Sequence, residues 1–170
     1  MHYTLYPSLR GRTVFISGGS SGIGAELVRA FSAQGSRVAF CGTRPDGGDA
    51  LLAELKATDD AAHLRYEACD VRDIAALQAL LDRVADQWGP IQVLVNNAGR
   101  DDRHALDELT PEYWDNCLAI NLRHQVFATQ SVARQLRTAK LPGSIINMGS
   151  ISWMRGRPNL IGYTTSKAAI

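Results

Sequence analysis

Tyr163 and Lys167 stand four residues apart near the end of the 170-residue chain. On a helix this spacing places both side chains on one face. An ammonium group beside a phenol favours the ionised form of the phenol, so the pair is suited to take a proton from an alcohol or to return one. Taken alone, the pair is more typical of an exposed aromatic residue beside an exposed lysine.

A glycine-rich stretch, SGGSSGIGAE, occupies residues 17–26 between a short apolar run and a helix-like run. Glycines permit a sharp turn and let the backbone approach a pyrophosphate, and the helix that follows offers free N–H groups and the positive end of its dipole. The stretch predicts a dinucleotide phosphate site, and the alternative is a tight turn without a ligand. The residues that we expect at the phosphates are Gly18, Ser20, Ser21, Gly22, Ile23 and Gly24.

Short apolar runs alternate with amphipathic runs along the chain, and several are apolar at consecutive positions, as in parallel strands covered on both faces. This alternation predicts an α/β fold, a Rossmann-type doubly wound parallel sheet with strand order 3-2-1-4-5, in a single domain over residues 1–170. Such sheets bind ligands at the carboxyl ends of their strands. The predicted strands are Val14–Ile16, Val38–Cys41, Leu64–Ala68, Ile91–Val95 and Ile145–Met148.

Three helices are predicted between these strands. Apolar residues at helical spacing indicate a helix over Ile23–Phe31, closed by Gly35. A second helix covers Ile74–Trp88, with Asp73 as its N-cap. A long third helix begins at Pro111, a favoured first position, and runs to about residue 139.

The composition excludes several classes of function. The chain is 45% hydrophobic and 21% charged with a net charge of +1, so its charge favours neither a nucleic-acid partner nor a membrane surface. No apolar run reaches the length of a membrane span. Three dispersed cysteines predict reduced thiols in a cytoplasmic protein, and we expect no bound metal.

Six motifs follow the predicted strand ends in order: G-x-x-x-G-I-G at 18–24, CDV at 69–71, NNAG at 96–99, IN at 120–121, GS at 149–150 and YTTSK at 163–167. In this order they resemble the short-chain dehydrogenase/reductase family, over nearly the whole chain. The resemblance implies an NAD(P)-dependent oxidoreductase that transfers hydride between a nicotinamide cofactor and an alcohol or carbonyl compound.

The resemblance also implies roles for individual residues. The catalytic group would be Asn121, Ser150, Tyr163 and Lys167. Ser150 would hold the substrate oxygen, Asn121 would hold a water molecule that links Lys167 to solvent, and Lys167 would also bind the nicotinamide ribose. The cofactor would further contact Asp70, Val71, Asn97, Ala98 and Gly99. Without the other motifs, Asp70 could simply cap the next turn, and Asn97 could simply stabilise a turn of the backbone.

The choice of cofactor depends on the end of the second strand. NAD-specific members carry an acidic residue there, whereas this chain has Thr43 and Arg44. An arginine can pair with the 2′-phosphate of NADP, so NADP is favoured over NAD. The alternative is that Arg44 faces water and Asp46 serves as the acid.

Segments on the substrate side resemble the aldose 1-dehydrogenases of the family, which oxidise a sugar to a lactone. The segments are RDDRHAL at 100–106, YWD at 113–115, NLRH at 121–124 and GSISW at 149–153. The candidate substrate residues are Asp101, Asp102, Arg103, His104, Ser150 and Trp153. In the alternative, residues 101–104 form a solvated loop and Trp153 packs against other side chains. An NADPH-dependent 3-oxoacyl or other carbonyl reductase is the second candidate function.

Family members are longer and have two further strands, so we expect a chain that lacks the C-terminal third of its domain at Ile170. One hypothesis is therefore an enzyme given in part, and the other is a non-catalytic dinucleotide-binding protein. In the family, the helices that carry the residues matching Asn121 and Tyr163 commonly form subunit interfaces. A complete form is accordingly expected to be a homotetramer or homodimer.

Overall fold

A computed structural model describes residues 4–57 and 63–170. Five parallel strands form one sheet in the order β3-β2-β1-β4-β5, which confirms the predicted topology. Each strand lies within two residues of its predicted bounds. The strands are β1 Thr13–Ser17, β2 Arg37–Gly42, β3 Leu64–Ala68, β4 Val93–Asn96 and β5 Ser144–Asn147.

Six α-helices accompany the strands in the described residues: α1 Gly22–Ala33, α2 Pro45–Lys56, α3 Ile74–Trp88, α4 Pro111–Leu118, α5 His124–Ala139 and α6 Ile161–Ala168. The side chain of Asp73 accepts a hydrogen bond from the backbone N–H of Ala76, as expected for the N-cap of α3. Gly35 follows α1 with a left-handed φ of 71°. None of the helices among the described residues is long and apolar enough to cross a bilayer.

Alternate residues of β1 enter two separate hydrophobic clusters, one on each face of the sheet. Phe15 packs with α3 and α5 on one face, whereas Val14 and Ile16 pack with α1 and α2 on the other. All five residues of β1 are buried, because both faces are covered. In contrast, β5 lies beside β4 at one edge of the sheet that the described residues form, and Ile146 on this edge strand is 42% exposed.

The predicted long helix from Pro111 to residue 139 is interrupted by a π-helical turn over Ala119–Arg123, and this corrects the sequence prediction. Side-chain amides bond to backbone carbonyl groups there. Asn121 Nδ2 donates to the carbonyl oxygen of Cys117 at 3.0 Å, and Gln125 Nε2 donates to the carbonyl oxygen of Asn121 at 3.0 Å. These carbonyl groups therefore keep partners although the α-helical register is shifted.

Candidate active site

A cavity of about 740 Å³ lies at the carboxyl ends of the strands, where an open parallel sheet binds its ligands. It brings together most of the residues that the sequence singled out, although they come from distant parts of the chain. Those that line it are Gly18, Ser20, Ser21, Ile23, Gly24, Thr43, Arg44, Asp70, Val71, Asn97, Ala98, Gly99, Asp101, Tyr163 and Lys167.

The glycine turn between β1 and α1 is held close to the end of β4. A Cβ atom on Gly24 would overlap the carbonyl oxygen of Gly18, and Gly18 itself has a left-handed φ of 68°. A Cβ atom on Gly22 would instead meet no atom within 4 Å. Gly22 is, however, absent from the lining of the cavity, whereas its neighbours Ser21 and Ile23 are part of it.

Ser17 is a site residue that the sequence analysis missed. Its Oγ accepts the backbone N–H groups of Asn97 and Ala98, both at 3.1 Å. In return, Asn97 Nδ2 donates to the carbonyl oxygens of Ser17 and Gly18, again at 3.1 Å. These bonds lock the glycine turn to the NNAG segment. The available signal was a polar residue at the end of an otherwise apolar strand.

Arg44 lies at the N-terminus of α2, beside the glycine turn. Its Nη2 donates to Ser21 Oγ at 2.9 Å. The hydroxyl of Tyr66 donates to the carbonyl oxygen of Arg44 at 3.0 Å and fixes its backbone. Asp46 is absent from the lining of the cavity, although it is only two residues further along the described chain.

The Asp70 carboxylate is paired with Arg72, another residue that the sequence analysis missed. Oδ1 accepts the backbone N–H of Arg72 at 2.9 Å, and both carboxylate oxygens accept from the guanidinium group. This guanidinium group lowers the pKa of Asp70. Asp70 thus stabilises a local turn, which was the alternative to a cofactor contact. It also lines the cavity, so the two roles are compatible.

Lys167 is 5% exposed on α6, and burial lowers its pKa. Its Nζ donates to the carbonyl oxygen of Met148 at 2.6 Å. The same Nζ lies 5.8 Å from the centroid of the Tyr163 ring. The helix therefore presents both side chains to the cavity, with the cation close to the phenol.

Ser150 follows β5 and caps a short 3₁₀ turn over Ile151–Trp153. Its Oγ accepts the backbone N–H of Ser152 at 3.2 Å and donates to Ser152 Oγ at 2.9 Å. The serine does not itself line the cavity, whereas its neighbour Gly149 does. Its role toward a substrate therefore stays a prediction.

Asn121 lies in the π turn, and both ends of its side-chain amide bond to the backbone of Arg100. Oδ1 accepts the backbone N–H of Arg100 at 2.9 Å, and Nδ2 donates to the carbonyl oxygen of Arg100 at 3.1 Å. Oδ1 would also lie 2.9 Å from a Cβ atom on Gly99, and Lys167 Nζ would lie 3.7 Å from it. Asn121 thus shapes the chain beside Lys167, and the predicted water link remains untested.

The four residues predicted at the start of the substrate loop do not share one environment. Asp101 lines the cavity, and Asp102 pairs with Arg100 at 2.9 Å. His104 stacks on Tyr113, and its Nε2 lies 2.8 Å from the carbonyl oxygen of Glu108. Arg103 is exposed and lies outside the cavity lining. Trp153, at 48% exposure, also lies outside this lining.

His124 begins α5 and is fully buried, and the sequence analysis assigned it no role. Its ring lies beside the backbone of Ala119 and Ile120, which favours the protonated form but is outweighed by burial. Burial, aided by the nearby Lys167 ammonium, lowers its pKa to about 4. The imidazole is therefore neutral over the physiological pH range.

Comparison with known proteins identifies sugar dehydrogenases among the relatives of this chain. It is 42% identical over 170 residues to a D-xylose 1-dehydrogenase from Caulobacter vibrioides, with all of this chain and 66% of that protein aligned. It is 43% identical over 166 residues to a probable galactose dehydrogenase from Rhizobium meliloti, covering 97% and 64% of the two chains. The chain thus spans slightly less than two thirds of the length of these relatives.

The structure is similar to a crystal structure of a short chain dehydrogenase from Burkholderia cenocepacia in complex with NADP. The TM-score is 0.86 at 32% identity, covering 95% of this chain and 64% of that one. The family model for short chain dehydrogenases matches residues 12–170. With its parallel sheet and its strand-end cavity, the chain belongs to the short chain dehydrogenase family.

Proposed function

We propose that the protein is an NAD(P)-dependent oxidoreductase that acts on a CH–OH group, built on a single dinucleotide-binding domain. The observation that carries this proposal is the shared cavity, in which Tyr163 and Lys167 from α6 face the glycine turn that follows β1. The glycine turn and the helix start would hold the diphosphate, and the segment Asn97–Gly99 would lie along the adenosine ribose. When bound, the nicotinamide supplies a hydride acceptor or donor.

The protein's own contribution is proton transfer and orientation. In the oxidative direction, the C–H electron pair of the alcohol leaves as hydride, and Tyr163 accepts the hydroxyl proton as the C=O bond forms. Lys167 stabilises the phenolate form of Tyr163 through its positive charge and would also bind the nicotinamide ribose. Its bond to the Met148 carbonyl oxygen restrains the ammonium group beside the ring. Ser150 would hold the substrate oxygen, at a position three residues beyond β5.

The substrate that the relatives favour is an aldose, oxidised at its anomeric carbon to a lactone. Support comes from the D-xylose and galactose dehydrogenases among the relatives, and from Asp101 at the border of the cavity. The test is a panel of pentoses, hexoses, hydroxysteroids and 3-oxoacyl thioesters, with the protein expressed as encoded. Turnover of the sugars is expected. Reduction of the thioesters alone would support the carbonyl reductase, and binding of a dinucleotide without turnover would support a binding protein.

NADP is the proposed cofactor, because Arg44 and Ser21 together offer a guanidinium group and a hydroxyl group at the rim of the cavity. Replacing Arg44 by Asp should shift the ratio of kcat/KM for NADP to that for NAD toward NAD. A charge-assisted hydrogen bond contributes about 1.5–3 kcal/mol, so a shift of at least about tenfold is expected. Asp46→Asn is the matched control and should leave the ratio unchanged. A shift with Asp46→Asn instead would favour NAD bound by that acid.

We also infer a cytoplasmic homotetramer or homodimer. Cys41, Cys69 and Cys117 are free thiols, which suits a reducing compartment. Val126 is 57% exposed on the outer face of α5, where a second subunit could cover it. Light scattering coupled to size exclusion should give the mass of two or four chains, and a monomer at micromolar concentration would contradict the assembly.

A further inference from the structure

Tyr113 lies outside the cavity but contacts the loop that borders it. Its hydroxyl donates to the carbonyl oxygen of Asp102 at 2.9 Å. Its ring stacks on His104, with centroids 4.1 Å apart and planes inclined by 15°. The backbone of Tyr113 is itself fixed, because its N–H donates to Oγ1 of Thr110, the N-cap of α4. The side chain therefore ties the loop to the start of a capped helix.

The backbone on both sides of Asp101 is held by side chains from other elements. On the N-terminal side, Asn121 in the π turn holds the N–H and the carbonyl oxygen of Arg100. On the C-terminal side, the Tyr113 hydroxyl holds the carbonyl oxygen of Asp102. These three backbone groups are thereby satisfied by partners with a fixed direction.

A fourth bond joins the same loop to the segment that follows β5. The backbone N–H of His104 donates to the carbonyl oxygen of Asn159 at 2.7 Å. Asp101 therefore lies in a short stretch of chain whose backbone is restrained from both directions.

The charges of the loop single out Asp101. The Asp102 carboxylate already has a partner, the Arg100 guanidinium group at 2.9 Å. Asp101 lines the cavity, and no hydrogen bond or ion pair joins its side chain to another residue in the described part of the chain. Its carboxylate is consequently the acceptor that this loop leaves available to a ligand, and a carboxylate can accept hydrogen bonds from two neighbouring hydroxyl groups.

We propose that Tyr113 is a positioning residue for a polyhydroxy substrate: its hydroxyl fixes the Asp102 peptide and so holds the Asp101 carboxylate toward the hydroxyl groups of that substrate. This rests on the proposed function and names the contact that would recognise a sugar away from its reacting carbon. The bond is directional, so its loss releases the loop without removing the ring that packs against His104.

Tyr66 offers a matched comparison on the other side of the cavity. Its hydroxyl donates to the carbonyl oxygen of Arg44 at 3.0 Å, as that of Tyr113 does to Asp102 at 2.9 Å. Each tyrosine thus restrains one loop of the cavity through a phenol-to-carbonyl bond. Tyr66 serves the cofactor side, and Tyr113 serves the substrate side.

The experiment compares Tyr113→Phe and Tyr66→Phe in the protein expressed as encoded. Tyr113→Phe should raise the KM for the aldose by about fivefold, with kcat within about twofold and the NADPH Kd unchanged, since one hydrogen bond is lost. Tyr66→Phe should show the opposite pattern, with a higher Kd for NADPH and an unchanged KM for the aldose. Equal effects of the two variants on both constants would overturn the proposal.

A double-mutant cycle tests the link to Asp101. Asp101→Asn alone should raise the KM for the aldose, and adding Tyr113→Phe should raise it little further, because the group being positioned is already altered. Effects that multiply independently would overturn the proposal. Deuterium uptake at the amides of Asp101 and His104 needs no turnover, and it should be faster in Tyr113→Phe. Unchanged uptake would also overturn it.

Failure of the proposed function can be distinguished from failure of this inference. If the wild-type protein binds NADPH but oxidises no aldose, the aldose assignment is wrong, and the same variants are measured with the alcohol that it does oxidise. A rise in KM that is just as large for an alcohol with a single hydroxyl group would contradict a role in recognising further hydroxyl groups. A wild-type protein that binds no dinucleotide would remove the proposed function as a whole.

Discussion

At the scale of single residues, the site combines a buried cation with a half-buried phenol. Lys167 keeps a hydrogen bond from Nζ to the Met148 carbonyl oxygen, which partly compensates for the loss of water around the ammonium group. Burial nevertheless lowers its pKa. The position of Tyr163 beside this cation is the basis of the proton transfer proposed above.

Replacing Tyr163 by Phe should remove the proton acceptor and keep the ring. General acid–base groups typically contribute about 100- to 10,000-fold in rate, so kcat should fall within that range. The Kd for NADPH, measured by fluorescence, should change by less than about threefold, because the nucleotide contacts elsewhere in the cavity persist. A variant that retains most of the parent's kcat would contradict the role of Tyr163.

His124 should make the stability of the fold dependent on pH. Its pKa is about 4 in the folded protein, against an ordinary value of 6.5, so only the unfolded chain takes up this proton between the two values. Stability is therefore fully present above pH 6.5 and falls as the pH drops toward 4. The loss is on the order of 3 kcal/mol across this window.

Urea unfolding of the wild type and of His124→Gln at several pH values in this window is the measurement. The variant should be less dependent on pH, whatever its stability at neutral pH, because glutamine does not titrate. The carboxylates are common to both proteins, so the difference between their slopes isolates the histidine. Parallel slopes would show that the imidazole is not held neutral by the fold.

At the scale of elements, the hydrophobic pattern alone was enough to predict the five strands and α3. Strands buried on both faces appear in the sequence as continuous apolar runs, and α3 begins after a typical N-cap residue. Helix α2 was not predicted, since Gly47 and Gly48 lower its helix propensity. The π turn was also missed, because it depends on side-chain amides that reach backbone carbonyl groups. The glycine turn could be predicted from residue types alone. The roles of Ser17 and Arg72 could not, because their hydrogen-bond partners are brought close only by the folded chain.

Helix α2 carries Gly48 because of packing against β3. A Cβ atom there would overlap the ring of Tyr66. Gly48→Ala should therefore destabilise the protein by about 1–3 kcal/mol through overpacking, although alanine is the better helix former. Ala53→Gly on the exposed side of the same helix is the control, with a loss of about 1 kcal/mol from propensity alone. Urea unfolding measures both, and a stabilising Gly48→Ala would contradict this packing argument.

At the scale of the whole molecule, the sheet has two edges of different character. Its β3 edge packs against α2, whereas β5 exposes Ile146 and the backbone groups that face away from β4. An apolar strand edge without a partner pairs readily with another chain. Tyr163 and Lys167, the proposed catalytic pair, also lie close to an end of the described chain, on a helix that finishes at Ala168.

A chain of residues 1–170 expressed by itself should consequently self-associate and turn over aldoses poorly. Uncovered β5 edges would pair between molecules, and the last turn of α6 would fray, which loosens Lys167. Light scattering together with assays of sugar-dependent NADPH formation is the measurement. Weak binding of NADPH is still expected, since the glycine turn follows β1 in the middle of the sheet, away from this edge. A monodisperse chain with substantial turnover would contradict this expectation.

The π turn at Ala119–Arg123 makes the number of residues in this helical segment more important than the type of each residue. It accommodates one residue more than a continuous α-helix would need, and each residue turns a helix by about 100°. Loss of any one codon across this turn would let α4 and α5 join into an unbroken helix. The helices on either side could keep their orientation, because the turn absorbs the extra residue. What would be lost is the widened geometry from which the Asn121 amide reaches both Arg100 and Cys117. Alignments of this segment should therefore vary in residue type but not in length.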